Sequence, residues 1–420
     1  MSAHHSVRTV PDVERRARLA VRHRLASAPA TTSGPGGPAE SVTSSGAVAA
    51  SARAVVGLHA TEPVSVYLSA WARSGATQAD VDDALYRERS VVKQLAMRRT
   101  LFAFPVDLLP AVRGSAAARV AAQQHGLLAR SVVTAGLATD GDAWVERACD
   151  LALERLAQEP ATTNQLRNQL PMLAVRLPRP ENPTSPPAPV AARVLTVLAA
   201  SGRVVRGNNQ GSWTTSKPVW TLVDDWVPGP AGSAEPWGAA EGYAELVRRW
   251  LWAYGPGTEA DIVWWLGATK SAVRQALADT RAVAVSLEDG APAWLHPDDV
   301  DPVAAPAPWA ALLPALDPAT MGWRGRTFHI DPRTAKAVYD RAGNGLPTAW
   351  WNGRTVGGWT QQADGRVTVV PHVDLPRTAI IALDHQADEL TQRLDGQVLR
   401  TTFHRPQQEG DRPVTAERVP

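Results

Sequence analysis

At 420 residues the chain is too long for a single core and predicts two to four packed units; 44% hydrophobic against 20% charged residues makes it globular, and no apolar run approaches the roughly 20 residues that cross a bilayer. A single cysteine, Cys149, excludes an intramolecular disulfide and a cysteine-built zinc cage, and the opening MSAHHSVRTV lacks the apolar stretch of a secretory signal, so a monomer of the reducing cytoplasm is expected. A net charge of +2 does not by itself announce a nucleic-acid binder.

Within that charge, only four of the 43 basic residues are lysine (Lys93, Lys217, Lys270 and Lys336). The remainder are arginine, which suits bidentate phosphate and base contacts, although a codon bias toward Arg, Ala and Pro is the plainer cause. Sixteen tryptophans against four phenylalanines are expected mostly in cores.

Residues 11–26 read as an amphipathic helix, with Val13, Ala17, Ala20, Val21 and Leu25 inward and Arg15, Arg16, Arg18, Arg22 and Arg24 covering a solvated, basic face. Residues 27–45, rich in Gly, Pro, Ser and Thr, are expected to be a flexible connection or a surface loop. Next comes Gly57-Leu58-His59-Ala60-Thr61-Glu62-Pro63, which places an imidazole, a hydroxyl and a carboxylate within four residues at a break between helical segments. Pro63 suits a first helical turn and pushes Glu62 out of the α region, so His59 and Thr61 are expected on a loop facing the positive end of a 64–73 helix. Thr61 is equally an ordinary helix N-cap, and His59 equally a core or helix-end histidine with its nitrogens satisfied.

A helix over 77–87 with Thr77 as cap, then extended residues 91–104, give three helices followed by a β element, the order of a winged helix-turn-helix. Lys93, Arg98 and Arg99 fall on its wing. The pattern recurs with helices over 142–158, 162–170 and 191–201, a Pro-rich stretch at 178–189, and a hairpin around residues 203–222. It recurs again with helices over 243–254, 259–266 and 270–279, Thr258 and Asp261 as a capping pair, and a hairpin from 283 to 295. In a groove-binding module Lys270, Arg274 and Gln275 would point outward toward DNA.

Beyond residue 302, Asn352-Gly353 and Asp364-Gly365 each sit between strand-like runs and mark a β-rich module over 309–371. A strand over 375–383, a helix over 384–394 and a disordered tail beyond 404 follow. The predicted fold class is α+β, mainly α: three tandem winged helix-turn-helix units over 1–140, 141–232 and 233–303, a C-terminal β-rich module over 304–404, and a tail over 405–420. No His, Asp or Glu spacing resembles metal ligands, Asp317 reads as a turn or cap residue, and no phosphate-binding glycine loop is present.

Four stretches resemble the bacterial winged-helix DNA glycosylases of the AlkZ and YcaQ type: Val55-Val56-Gly57-Leu58-His59-Ala60-Thr61, Leu68-Ser69-Ala70-Trp71-Ala72-Arg73, Met97-Arg98-Arg99-Thr100-Leu101, and Leu312-Leu313-Pro314-Ala315-Leu316-Asp317-Pro318. The resemblance implies tandem winged helices around a DNA channel and cofactor-free hydrolysis of the N-glycosidic bond of bulky alkylated or crosslinked purines in double-stranded DNA. In characterised members a glutamine, one spacer, and a glutamine or aspartate hold the attacking water, and here those positions fall on His59 and Thr61. A neutral imidazole, with an ordinary pKa of about 6.5, can accept the water's proton while the hydroxyl orients it. The alternative is a non-catalytic winged-helix regulator in which His59 and Thr61 mark a degenerate site. A ligand-sensing regulator with a Trp-rich pocket is a third reading.

Overall fold

The computed structural model describes residues 7–27, 44–178, 186–227, 229 and 236–399. The expected 27–45 connection, much of the Pro-rich 178–189 stretch and the tail beyond 404 therefore lie largely or wholly outside the described residues. The chain divides into two compact units, one made of residues 1–82 with 244–420, the other of 83–243.

In the first unit the Asp12–Arg22 helix forms where the periodicity predicts it, with Ala17 and Ala20 buried as expected, but two arginines expected on the solvated face are buried as well. Val13 is 56% exposed, whereas Arg18 is buried together with Glu14 and Arg15. Arg18 donates from Nε to Glu14 at 2.9 Å and pairs through Nη1 with Asp299 at 2.8 Å, and the carbonyls of Asp299 and Asp301 take further donors. Arg15 lies 3.8 Å above the Phe328 ring. A guanidinium surrounded by carboxylate and carbonyl acceptors is satisfied inside a protein, and this is what overturns the expected solvated arginine face. The same segment begins with Thr9–Val10, a strand lying parallel to Val283–Leu287, which pairs antiparallel with Pro292–Leu295.

The helices Glu259–Leu266 and Lys270–Asp279 precede that hairpin as the sequence predicts. Thr258 and Asp261 cap each other's backbone in the expected box, and Gly267, at φ 63°, ends the first of the two. Farther on, Ala310–Leu313, Thr348–Trp351, Arg354–Gln361 and Val367–Pro371 form a four-stranded antiparallel sheet in that order. Asn352 and Gly353, both at positive φ (48° and 78°), make the tight turn between its second and third strands.

The expected strand over 375–383 is absent. One helix, Arg377–Leu394, spans it and the following segment, and packs on the sheet. Ala379, Ile380, Leu383, Ala387, Leu390 and Leu394 fall on its buried face at spacings of one, three and four, while Ile381 is 51% exposed. The apolar run therefore follows a helical period that a reading of residues 375–383 alone cannot distinguish from a buried strand.

The second unit, residues 83–243, holds the antiparallel hairpin Val91–Ala96 with Thr100–Pro105, so the expected extended segment is two strands joined by a Met97–Arg99 turn. Its helices include Ala118–Thr134, Gly141–Leu156, Thr163–Gln169 and Ala191–Ala200, and Val204–Asn209 pairs antiparallel with Pro218–Leu222. Leu128, Val132, Val145, Leu156, Leu166, Val194, Leu198 and Trp220 meet in its core. Gly141 permits the close approach of two of these helices, because a Cβ there would stand 2.3 Å from the Ala129 carbonyl oxygen.

Candidate active site

The 55–63 segment is shaped by its own backbone first. Val56 takes a left-handed conformation at φ 65°, and the Gly57 amide donates back to the Val55 carbonyl at 2.7 Å. Leu58–His59 then extends as a two-residue strand, and Pro63 opens the Pro63–Ser74 helix. Glu62, extended at φ −97° and ψ 119°, stands at the N-cap position without a capping side-chain hydrogen bond. The expectation that Thr61 caps this helix is thus corrected. Pro63 contributes no N–H, and the chain turns one residue later than a threonine cap requires.

Burial separates the two motif positions. His59 is 5% exposed and Glu62 likewise 5%, with Ala60 buried between them, whereas Thr61 points to solvent. The loop thus presents His59 and Glu62 inward and Thr61 outward.

Two sets of buried polar contacts hold the loop in place. At its start, the Tyr254 hydroxyl donates to the Val55 carbonyl at 3.0 Å. Tyr254 is itself enclosed by His23, Trp250, Trp265 and Trp323. Trp323 donates through Nε1 to the Tyr254 carbonyl at 3.0 Å, and His23 through Nε2 to the Ala253 carbonyl at 3.0 Å. Burial drives the Tyr254 pKa far up, so its hydroxyl remains a donor, and burial, assisted by Arg73, drives His23 down to about 3, so its imidazole remains neutral.

At the loop's far end, Ser65, Ser69 and Arg73 line one face of the Pro63–Ser74 helix at a spacing of four. The Ser65 hydroxyl donates to the Ala315 carbonyl at 2.7 Å, and that of Ser69 to Asp317 at 2.6 Å. Arg73 grips Asp317 with two nitrogens at 2.7 and 2.8 Å, both side chains being fully buried. Asp317 also accepts from the Ala319 amide at 2.9 Å, which makes it the expected cap of Pro318–Met321 and, in addition, a buried anchor. Burial alone would raise its pKa, but the Arg73 charge and hydrogen bonds from Arg73, Ser69 and Ala319 bring it below the ordinary carboxylate value. The sequence carried a signal for this anchor in the polar 65/69/73 stripe on an otherwise apolar helix, a stripe that only a buried partner explains.

The residues expected to meet DNA take three different settings. Arg98 and Arg99 share the exposed tip of the Val91–Pro105 hairpin, both at positive φ (53° and 60°). Lys93 is instead half-buried along a strand, its ammonium 2.8 Å from the Tyr86 hydroxyl and over that ring at 5.0 Å. Lys270, Arg274 and Gln275 share an exposed helix face, with Arg274 paired to Glu259 at 2.7 Å and Gln275 donating to Asp279 at 2.7 Å. Among the described residues no three of His, Cys, Asp and Glu gather as a metal site would require, and no helix is long and apolar enough to cross a membrane.

A family model described as DNA glycosylase AlkZ-like matches residues 52–393, which includes the whole of this loop and its anchors. The chain belongs to the AlkZ-like DNA glycosylase family. Membership makes DNA the partner and repair of alkylated DNA the general setting. Among solved structures, the Streptomyces sahachiroi DNA glycosylase AlkZ is similar in fold, with a TM-score of 0.66 at 21% identity, covering 94% of this chain and 99% of that one. No curated protein sequence matches the chain. The four stretches that carried the resemblance all fall inside the family match.

Proposed function

We propose that this AlkZ-like chain is a monofunctional glycosylase that hydrolyses the N-glycosidic bond of bulky alkylated or crosslinked purines in double-stranded DNA without a cofactor. The observation that carries the reading is the placement of His59: a buried imidazole on a loop inside the family match, fixed on one side by Tyr254 and on the other by the Arg73–Asp317 anchor. Hydrolysis of a bond whose leaving base is already activated by alkylation asks little beyond an oriented water and stabilisation of the sugar cation, and a rigid loop meets the first demand. His59 in neutral form accepts the water's proton, and Thr61 orients the water in the simplest transfer of the family motif. Arg98, Arg99 and Lys93 on one element, with Lys270, Arg274 and Gln275 on another, supply phosphate and groove contacts. We further read the helix-then-hairpin successions as three tandem winged units over 1–140, 141–232 and 233–303, followed by the 304–404 β-rich module.

The deciding assay incubates the protein with DNA carrying nitrogen-mustard, methyl and natural-product adducts and measures released base. Release by the wild type, abolished in His59→Ala with DNA affinity retained, is the expected result. The exposure of Thr61 favours a second reading, a DNA-binding regulator with a degenerate site. Tight DNA binding with no release from any adduct would establish that reading instead.

A further inference from the structure

We infer that the 203–222 hairpin is a further contact with the DNA backbone, meeting phosphates through Arg203, Arg206 and Lys217, while the helix ahead of it reads no bases. This adds an element of the 83–243 unit to the interface proposed above, and it requires DNA as the partner but not base release. In a helix-turn-helix module the helix before the hairpin enters the major groove and offers donors and acceptors to base edges. Here that helix is Ala191–Ala200, and seven of its ten residues are buried. Val194 and Leu198 lie in one core with Leu128, Val145 and Leu166. Its two polar side chains are engaged inside the unit: Arg193 donates to the Leu127 carbonyl at 3.1 Å and to Ser131 at 2.9 Å, and Thr196 to the Ala192 carbonyl at 2.7 Å. A helix so enclosed serves the core and has nothing to present to a base pair.

The hairpin has the opposite character. Residues 203–222 include Arg203, Arg206 and Lys217 and no acid. Arg203 and Lys217 are exposed, and Arg206 is half-buried, its guanidinium 5.4 Å above the ring of Trp220, its cross-strand neighbour. Among the described residues none of these three side chains donates a hydrogen bond or pairs with a carboxylate. Burial pushes Arg206 below the ordinary arginine range with no acid to offset it. A phosphate supplies the counter-charge that such a cation lacks, and accepts from its planar fork of donors. The tip is braced by Asn209, which accepts from the Lys217 amide at 2.7 Å and donates to the Ser212 carbonyl at 3.0 Å. The hairpin over 91–105, in the same compact unit, is likewise basic and without acids. That over 283–295 is the contrast: it carries Glu288 and Asp289 and no Lys or Arg, and Glu288 accepts from the Asp12 amide at 2.7 Å. Charge sorts the three hairpins, and the two basic ones suit a phosphate backbone.

The test titrates adduct-free duplexes of two unrelated sequences at several salt concentrations, with thermal melting measured in parallel. It compares the wild type with Arg206→Gln, with the triple variant Arg203→Gln, Arg206→Gln and Lys217→Gln, and with Arg147→Gln, whose exposed side chain on the same unit pairs with Glu154 at 3.7 Å. Since each phosphate contact contributes about 0.9 to the slope of log affinity against log salt, the slope is expected to fall by about 1 in Arg206→Gln and by about 2 to 3 in the triple variant. The fall should be equal on both sequences and absent in Arg147→Gln. Should the variants carrying Arg206→Gln melt early, Arg203→Gln with Lys217→Gln, both exposed, decides the matter with an expected fall of about 2. A folded triple variant whose slope stays within about 0.5 of the wild type overturns the inference, as does a fall in Arg147→Gln as large as that in Arg206→Gln. Either outcome leaves base release and the Arg98 and Arg99 contacts standing. A loss confined to one of the two sequences would make the hairpin a reader of bases and overturns its assignment to phosphate. A wild type whose affinity does not fall with salt removes this contact and those proposed at Arg98 and Arg99 together.

Discussion

Asp317 receives two nitrogens of Arg73 at 2.7 and 2.8 Å where neither side chain meets water. The two lie 244 positions apart in the chain, and their pairing fixes the helix that carries the candidate loop. Removing one partner strands a buried charge, so Asp317→Leu or Arg73→Met is expected to cost about 3–5 kcal/mol of unfolding free energy, whereas the double substitution recovers most of that loss. Urea titrations of the four proteins check the expectation. A double variant no better than the singles would contradict it.

Acid should weaken the first unit through its buried imidazoles. His23, lowered from 6.5 to about 3, and His329, lowered well below 6.5, are both held neutral chiefly by burial. Because their folded values lie below the unfolded one, the unfolded chain takes the proton first. Their contribution is complete above about pH 6.5 and declines as pH falls toward 3, at up to roughly 1.4 kcal/mol per pH unit for each. His329 stacks on Trp350 and touches Phe328. His329→Phe keeps that shape and is expected to be at least as stable at pH 7, with a shallower decline between pH 6.5 and 5. An unaltered acid profile in that variant would remove His329 from the explanation.

The Arg377–Leu394 helix makes a graded prediction along its sequence. Leu383 is in the core and Ile381 is outside it, so Leu383→Ala is expected to cost about 2–5 kcal/mol and Ile381→Ala under about 0.5 kcal/mol. Equal costs at the two positions would point back to a strand buried on both faces.

Salt separates phosphate contacts from the rest. Arg98→Ala with Arg99→Ala is expected to lower the slope of log affinity against log salt by about 2, since each phosphate contact contributes about 0.9. Lys93→Ala should change it less, because its ammonium is engaged with Tyr86. Titrations of duplex DNA at several salt concentrations measure both, and an unchanged slope in the double variant would exclude the hairpin tip from the interface.

Local chemistry made some elements legible and left others out of reach. The Thr258–Asp261 box and the Asn352-Gly353 turn each depend on residues within four positions of one another, and each forms as its residues dictate. The burial of Arg18, and the pairing of Arg73 with Asp317 beyond its expected capping role, escape such a reading for the opposite reason. Besides the local Glu14, the partners that satisfy Arg18 include Asp299, and Arg73 is met by Asp317, each more than two hundred residues distant and not identified by spacing. At the loop, His59 was reached through its family position. The different surroundings of Thr61 and Glu62 depend on where one proline starts a helix, a shift of a single residue that spacing alone does not resolve.

The strand Thr9–Val10 rests on Ser286 and Leu287, and Arg73 on Asp317, so the first unit joins segments separated in the chain by the whole of residues 83–243. During synthesis the ribosome delivers the N-terminal part of this unit long before the carboxylates that neutralise Arg18 and Arg73. Until then Arg18 has only the neighbouring Glu14 as a carboxylate partner, and Arg73 lacks Asp317. The contiguous 83–243 unit is under no such delay. A truncation ahead of Asp317 therefore keeps every residue of the 83–243 unit but removes the buried partner of Arg73 that anchors the Pro63–Ser74 helix.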